Sequence, residues 1–126
     1  MATFVLVHGA FIGGWAWRWV APELRLAGHE VFTPTLTGHG DRAHLARPET
    51  DLDTHIEDVV NLLRYEDLTA VILVGWSYGG MPVAGVADRI PGRMRTVKDG
   101  ASDWRPSSMP PSQTSLPQRG SGSPPA

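Results

Sequence analysis

The sequence predicts an α/β protein with a parallel sheet, and three observations support this class. Short apolar runs rich in β-branched residues alternate along the chain with segments of helical periodicity. Glycine and proline turn signals separate these segments. The apolar runs are nearly continuous, as in parallel strands that are covered on both faces. The chain has 126 residues, which is enough for one such domain or part of one.

Two strands and one helical segment are predicted in the first third of the chain. Residues 4–7 form an apolar run that ends at His8-Gly9, which is typical of a buried strand. Residues 15–27 have a helical pattern that ends at Gly28. Pro22 either kinks this helix or begins a second segment. Residues 30–33 are predicted to form the second strand.

The middle of the chain continues the alternation. Residues 54–65 form the clearest helix, with an apolar stripe at i, i+3, i+4 and i+7 and a capping-box pattern from Thr54 to Glu57. Residues 70–74 are the most apolar strand. Residues 78–90 are apolar nearly all round and predict a buried helix, in which Pro82 fits only near the first turn. The order β-α-β-loop-α-β-α favours a parallel sheet with right-handed crossovers.

Composition excludes several other classes of protein. The 41% of hydrophobic residues is enough for a packed core, so global disorder is excluded. Eleven Lys and Arg against thirteen Asp and Glu give a formal net charge of −2, which does not favour nucleic acid as a partner. No apolar run approaches the ~18 residues that span a bilayer, and no secretory signal is recognisable, so no membrane partner is expected. The chain has no Cys, which excludes disulfide scaffolds and fits a cytoplasmic location.

The composition changes near Val97. Residues 97–126 contain seven Ser, six Pro and three Gly, with few apolar residues and no periodicity. Such a segment cannot bury enough apolar surface to offset its ordering entropy. The predicted domains are therefore an ordered part, residues 1–96, and a Pro/Ser-rich disordered tail, residues 97–126.

The motif with chemical content is Gly75-Trp76-Ser77-Tyr78-Gly79. It matches G-x-S-x-G and lies between a predicted strand and a predicted buried helix, which is the context of a nucleophile elbow. In such an elbow the serine occupies a sharp, strained turn with its hydroxyl exposed. The backbone N–H of Tyr78 then lies at a helix N-terminus, where it can donate to an oxyanion. A packing turn of small residues is the alternative, but it explains the glycines and not the serine.

A second segment, His8-Gly9-Ala10, follows the first strand. An acyl-transfer site needs a second oxyanion donor from a neighbouring strand end, and the N–H of Ala10 has that position. His8 and Gly9 then border the substrate, and orienting the loop by hydrogen bonding is preferred for the His8 side chain over a catalytic role.

Other polar and aromatic residues have less specific interpretations. His39, within Gly38-His39-Gly40-Asp41, either lines the substrate entrance or belongs to a simple glycine turn. Trp76 is a candidate for substrate contact, although packing is the favoured interpretation. His55 is expected to face solvent. No metal site is predicted, and neither a phosphate-binding loop nor a dinucleotide fingerprint is present, so no cofactor is expected.

Residues 3–96 resemble the α/β-hydrolase superfamily, in particular the small esterases that include plant methylesterases and hydroxynitrile lyases. Four elements carry the resemblance: the segment from Phe4 to Ala10, the Trp15/Trp17 helix start, the loop from Gly38 to Asp41, and the segment from Gly75 to Gly80. The resemblance implies a carboxylic-ester hydrolase that acts on a small-molecule ester. Ser77 would be the catalytic nucleophile, and the amides of Ala10 and Tyr78 would form the oxyanion hole.

The family's catalytic histidine is missing from this chain. The triad order in this fold is Ser, then Asp or Glu, then His, but all five His precede Ser77. The acids after Ser77 are Asp88, Asp99 and Asp103, and none has a context that suggests a triad acid. The family pattern also ends near Val97, where a further strand is expected. A truncated or frameshifted core of about three strands would explain this.

The missing strand has a structural consequence, and the missing histidine leaves the function open. Strand 70–74 would lack its outer neighbour, and an exposed sheet edge favours self-association. Three functions remain open: an esterase impaired by the missing His, a non-catalytic hydrolase fragment, and a small α/β binding module.

Overall fold

The computed structural model describes residues 1–99 and the backbone of residues 104–106. Within these residues the elements are β1 (Thr3–Val7), α1 (Ala21–Leu26), β2 (Glu30–Phe32), α2 (Leu52–Tyr65), β3 (Val71–Gly75), α3 (Gly80–Arg89), β4 (Met94–Lys98) and β5 (Trp104–Pro106). Short 3-10 turns precede α1, α2, α3 and β4. No helix among the described residues is long and apolar enough to cross a membrane.

The strands form one sheet in the order β2-β1-β3-β4-β5. Neighbours among the first four strands are parallel, and β5 runs antiparallel to β4. The predicted α/β class with a parallel sheet is therefore confirmed. Because β1 and β3 are adjacent and in register, with Val7 opposite Gly75, the loops that follow them meet at one edge of the sheet.

Helices cover both faces of the sheet, but unequally. The larger core lies between the sheet and the helices α2 and α3, and it contains Val5, Val7, Leu63 and Leu73, all fully buried. On the opposite face a small cluster around Leu6 packs beneath α1 and Trp17. This arrangement explains why the strands are apolar at successive positions.

β4 corrects the expectation that strand 70–74 has an unpaired outer edge. β3 lies between β1 and β4, so its two edges are both occupied. The sequence reasoning missed β4 because Met94 and Val97 are three residues apart, which breaks the two-residue period of a strand. The register shows the reason: Val71 pairs with Met94 but Ile72 pairs with Thr96, so Arg95 is the extra residue of a bulge. The bulge turns Met94 and Val97 to the same buried face.

Two helix predictions need adjustment. The segment 15–27 is not one helix: a 3-10 turn, Gly14–Trp17, precedes α1, and Pro22 lies in the first turn of α1, as its fixed φ allows. The start of α2 is at Leu52 rather than residue 54. Its capping box joins Asp51 to Thr54 and not Thr54 to Glu57, because the Asp51 carboxylate accepts the N–H of Thr54 at 3.0 Å.

The predicted boundary at Val97 falls inside β4. Residues 97 and 98 pair with Leu73 and Val74 as part of the sheet. The rest of the predicted tail, residues 100–126, lies outside the described residues apart from the backbone of β5.

Candidate active site

The predicted nucleophile, Ser77, lies on a sharp turn between β3 and α3. Its φ is +56°, in the left-handed region that residues with a side chain rarely occupy. A non-glycine residue in this region costs on the order of 1–3 kcal/mol and persists only where its surroundings enforce it. Three contacts enforce it here, and all three involve glycines or the backbone.

The glycines of the motif allow the turn to approach the end of β1. A Cβ on Gly79 would overlap the carbonyl oxygens of Val7 and His8, and a Cβ on Gly75 would lie 2.5 Å from the carbonyl oxygen of Gly79. The N–H of Trp76 donates to the carbonyl of Val7 at 3.0 Å, which extends the pairing of β1 with β3 into the turn. The elbow is thus fixed against the loop that follows β1.

That loop contains the second predicted oxyanion donor, Ala10. A Cβ built on Gly9 would lie 3.2 Å from the Cβ of Ser77, so the loop passes directly beside the serine. Ser77 itself is solvent-exposed, and Ala10 is half-buried. The amide of Tyr78 follows Ser77 in the first turn that leads into α3. Tyr78 therefore adjoins the serine along the chain, and the loop that carries Ala10 adjoins it through space.

His8 orients the loop from beneath. Its side chain is fully buried, and both ring nitrogens have protein partners. The N–H of Leu36 donates to Nε2 at 2.9 Å, so Nδ1 carries the proton and donates to the carbonyl of Gly9 at 2.6 Å. Burial lowers the pKa of His8, an effect that the Gly9 carbonyl partly opposes. The neutral ring of His8, held by two hydrogen bonds, fixes the position of Gly9 beside Ser77.

His39 lines a cavity next to the elbow. The cavity has a volume of about 250 Å³ and is lined by Ala10, Phe11, His39, Thr50, Asp51, Leu52, His55 and Tyr78. The N–H of Phe11 donates to His39 Nδ1 at 3.3 Å, and the His39 ring stacks on Tyr78 with a centroid separation of 5.8 Å. The pKa of His39 is lowered, first by burial and second by the neighbouring His55.

His55 corrects a further expectation, because it is only 5% exposed and does not face solvent. Its Nε2 lies 2.9 Å from the carbonyl oxygen of Thr37, which can only accept, so Nε2 carries the proton. Its Nδ1, 2.7 Å from the hydroxyl of Tyr78, then accepts a hydrogen bond from that hydroxyl. The sequence offered one signal: His55 is four residues before Val59 and therefore borders the apolar stripe of α2.

The remaining candidate residues that the structure describes do not form a common arrangement with Ser77. Trp76 is 55% exposed and borders Gly9. Among the predicted acids, Asp88 is exposed near the end of α3. Asp99 follows β4 with its backbone carbonyl against Gly80, so the chain returns to the elbow there. Asp103 lies outside the described residues.

A serine held in left-handed backbone between the central strand of a parallel sheet and a buried helix defines the class of α/β-hydrolase-like proteins. The chain belongs to the alpha/beta hydrolase family, whose sequence model matches residues 4–123. That match extends beyond residue 96, where the sequence analysis ended the resemblance.

Individual relatives are similar over a shorter part of the chain. A carbendazim hydrolyzing esterase of Nocardioides sp. (strain SG-4G) is 57% identical over 97 residues, which are 77% of this chain and 40% of the relative. An alpha-hydroxynitrile lyase of Arabidopsis thaliana is 33% identical over 95 residues, 75% of this chain and 37% of the relative. The chain thus spans about two fifths of the length of these curated relatives.

Solved structures give the same assignment. An extracellular α/β-hydrolase from a Paenibacillus species superposes with a TM-score of 0.71 at 33% identity, over 77% of this chain and 39% of that one. A methylesterase from Arabidopsis superposes with a TM-score of 0.69 at 31% identity, over 77% of this chain and 42% of that one. The esterase-type branch named in the sequence analysis is confirmed as the group to which the chain is similar.

Proposed function

We propose that the chain carries the nucleophile half of a carboxylic-ester hydrolase site. Ser77 is the nucleophile that attacks the ester carbonyl, and the backbone amides of Ala10 and Tyr78 bind the oxyanion that forms. Gly9, held by His8, lets the substrate carbonyl approach, and His39 and Trp76 border the substrate. The observation that carries the proposal is the left-handed backbone of Ser77 beside the Gly9–Ala10 loop.

The strain at Ser77 supports a chemical rather than a structural role. A small-residue turn would place glycine or asparagine at a positive φ, because these residues pay little for it. A serine there exposes its hydroxyl at the end of the sheet, where two amides can reach the attacked carbonyl. The similarity to esterases and methylesterases supports the same reaction class.

The rate of this chain alone is expected to be low, because no His follows Ser77 in the sequence. His8 and His55 both have their two ring nitrogens occupied by protein partners. A serine hydroxyl without a general base is a weak nucleophile. Loss of the histidine from a serine–histidine pair removes most of the catalysis and leaves roughly 10³–10⁴ over water from the oxyanion hole and binding.

Imidazole in solution tests the proposal directly, because Ser77 is a solvent-exposed residue that an added base can approach. Hydrolysis of p-nitrophenyl acetate is measured with and without imidazole for the native chain and for Ser77→Ala. We expect nearly equal rates without imidazole, and a saturable excess for the native chain when imidazole is present. The variant subtracts the hydrolysis that imidazole performs by itself.

Two outcomes would contradict the proposal. Equal rates at every imidazole concentration would exclude Ser77 as a nucleophile. Full turnover without imidazole would contradict the expected impairment. Carbendazim belongs in the same assay as a second substrate, since the relative with 57% identity is described as an esterase that hydrolyses it.

A non-catalytic hydrolase fragment is the second candidate. The absence of a His after Ser77 favours it. A small binding module is the third, and it differs by retaining affinity for the ester. Equal rates for the native chain and Ser77→Ala, with no measurable ester binding, would favour the fragment. Equal rates with binding would favour the module.

A further inference from the structure

A chain of hydrogen bonds links helix α2 to the residue that follows Ser77. Tyr78 contributes its backbone N–H to the proposed oxyanion hole, and its side chain extends from the elbow towards α2. There the hydroxyl donates to Nδ1 of His55 at 2.7 Å. The two rings meet edge to face with a centroid separation of 5.6 Å. Tyr78 is therefore held at both ends of its side chain.

His55 is fixed in turn by the loop that follows β2. Its Nε2–H donates to the carbonyl of Thr37 at 2.9 Å. Thr37 is held by Asp58, whose two carboxylate oxygens accept the N–H and the hydroxyl of Thr37, both at 2.7 Å. His55 and Asp58 are three residues apart on α2 and so lie on one face of the helix. The loop and the helix together allow one tautomer and one orientation of the His55 ring.

The close packing of α2 on α3 brings His55 within reach of the elbow. A Cβ on Gly85 of α3 would overlap the side chain of Ile56, so the two helices lie in close contact at this point. Because His55 is 5% exposed, its hydrogen bond to Tyr78 is protected from competing water. A displacement of His55 would be passed to the Tyr78 ring and to the backbone that carries it.

We propose that His55 is a positioning residue that holds Tyr78, and through it the oxyanion-hole amide, in the orientation that the reaction needs. This inference rests on the proposed function for its catalytic consequence, but the positioning itself is a structural claim. A residue that only stabilised the loop would act through Thr37 and not through Tyr78.

Two conservative substitutions separate these roles. In His55→Asn the side-chain oxygen takes the place of Nδ1 and keeps an acceptor for Tyr78, while the bond to Thr37 is lost. In His55→Gln the longer amide reaches the place of Nε2 and keeps a donor for Thr37, while the acceptor for Tyr78 is lost. If His55 positions Tyr78, the Tyr78 amide signal and the kcat of the Asn variant should be closer to the native values than those of the Gln variant. A loop-stabilising role expects the reverse.

The first readout does not depend on turnover. The chain has two tyrosines, Tyr65 and Tyr78, so labelling with ¹⁵N-tyrosine gives two amide signals in an NMR spectrum. We expect the Tyr78 signal to shift in His55→Gln and to stay near its native position in His55→Asn. Tyr65 lies in the last turn of α2, so its unchanged amide signal reports that this helix remains folded in the variants. An unmoved Tyr78 signal in folded His55→Gln would overturn the proposal.

The second readout is the imidazole-supported hydrolysis of p-nitrophenyl acetate. Removal of an oxyanion-hole donor costs about 10²–10³ in kcat, so a misplaced donor is expected to cost about tenfold, with KM changed less than about twofold. His29→Gln is the matched control, since His29 is likewise hydrogen-bonded to the backbone, where it accepts the N–H of Ala2, but lies at the far end of β1. If Ser77-dependent hydrolysis is absent, the proposed function fails. The NMR result still decides whether His55 positions Tyr78. If hydrolysis is present, a kcat in His55→Gln equal to that of the control would overturn the positioning role of His55.

Discussion

At the scale of single residues, the strained backbone of Ser77 depends on the absence of side chains around it. The carbonyl oxygens of Val7 and His8 occupy the space that a Cβ on Gly79 would need. These oxygens belong to the end of β1 and cannot move away without breaking the pairing with β3. The geometry of the elbow is therefore set by its neighbours as much as by its own sequence.

The substitution Gly79→Ala tests this dependence. We expect it to lower the free energy of unfolding by about 1–3 kcal/mol or more, because the added methyl group is forced against backbone atoms. Urea denaturation measures the change. Gly92→Ala is the control, since nothing lies within 4 Å of its Cβ, and we expect a change within about 0.5 kcal/mol. Equal stability of the two variants would contradict the close approach.

The buried ring of His8 predicts a loss of stability in mild acid. Because its pKa is lowered in the folded state, the unfolded chain binds the proton more readily. The stability from a neutral His8 is thus fully present above the ordinary value near 6.5 and is lost as the pH falls below it. We expect less stability at pH 5.5 than at pH 7.5.

Matched variants assign that effect to His8. His8→Gln should be less stable than the native chain at pH 7.5, since it disturbs the bonds to Leu36 and Gly9, but its stability should depend less on pH. His44→Gln, at an exposed position, serves as the control and should retain the native pH dependence. Urea unfolding at several pH values provides the data. An unchanged slope in His8→Gln would show that another group is responsible.

The candidate nucleophile could be predicted from the sequence, but the residues that support it could not. The G-x-S-x-G motif lies between a predicted strand and a predicted helix, so five consecutive residues are enough to predict the nucleophile elbow. His55, Asp58 and Thr37 act through contacts between α2 and a loop whose conformation has no simple periodicity. A histidine beside an apolar stripe can either face solvent or be buried with hydrogen-bond partners. The contacts of His55 with Tyr78 and Thr37 in the folded chain decide between them.

At the scale of elements, α2 follows the behaviour that its sequence predicts. The predicted apolar stripe of Ile56, Val59, Val60 and Leu63 is buried, and it packs into the larger core. Helical periodicity is a strong signal over fourteen residues, which explains why this element was the most predictable. β4 was less predictable because a bulge interrupts its alternation, and a bulge depends on pairing with another strand.

Leu63→Ala tests the contribution of this stripe. The Leu63 side chain is fully buried, so its truncation is expected to cost about 2–5 kcal/mol. Leu26→Ala is a matched control on α1, where the side chain is 85% exposed, and it should change stability by less than about 0.5 kcal/mol. Both values come from urea unfolding curves. Similar costs for the two variants would contradict the position of the core on the α2 side of the sheet.

At the scale of the molecule, the two faces of the sheet are protected unequally. The face under α1 has a small cluster, and Ile72 and Val74 of β3 remain half-buried. Large apolar side chains are also exposed near the elbow, among them Phe11 at 91% and Trp76 at 55%. A small domain buries a smaller fraction of its surface than a large one. Self-association remains a prediction, although the edge first expected to cause it is covered by β4.

We therefore expect marginal stability for the isolated chain. The midpoint of thermal unfolding, measured by circular dichroism, should lie below about 60 °C. Size-exclusion chromatography over a range of protein concentrations shows whether association accompanies it. A sharp transition above that temperature, in a chain that elutes as a clean monomer, would contradict this expectation.

Covalent trapping tests directly whether Ser77 is a nucleophile that its strained backbone orients for attack. The chain is incubated with a fluorophosphonate in the presence of imidazole, and its intact mass and the modified peptide are determined by mass spectrometry. We expect one adduct per chain, located on Ser77 and absent from Ser77→Ala. No adduct on the native chain, or an equal amount on the variant, would contradict it.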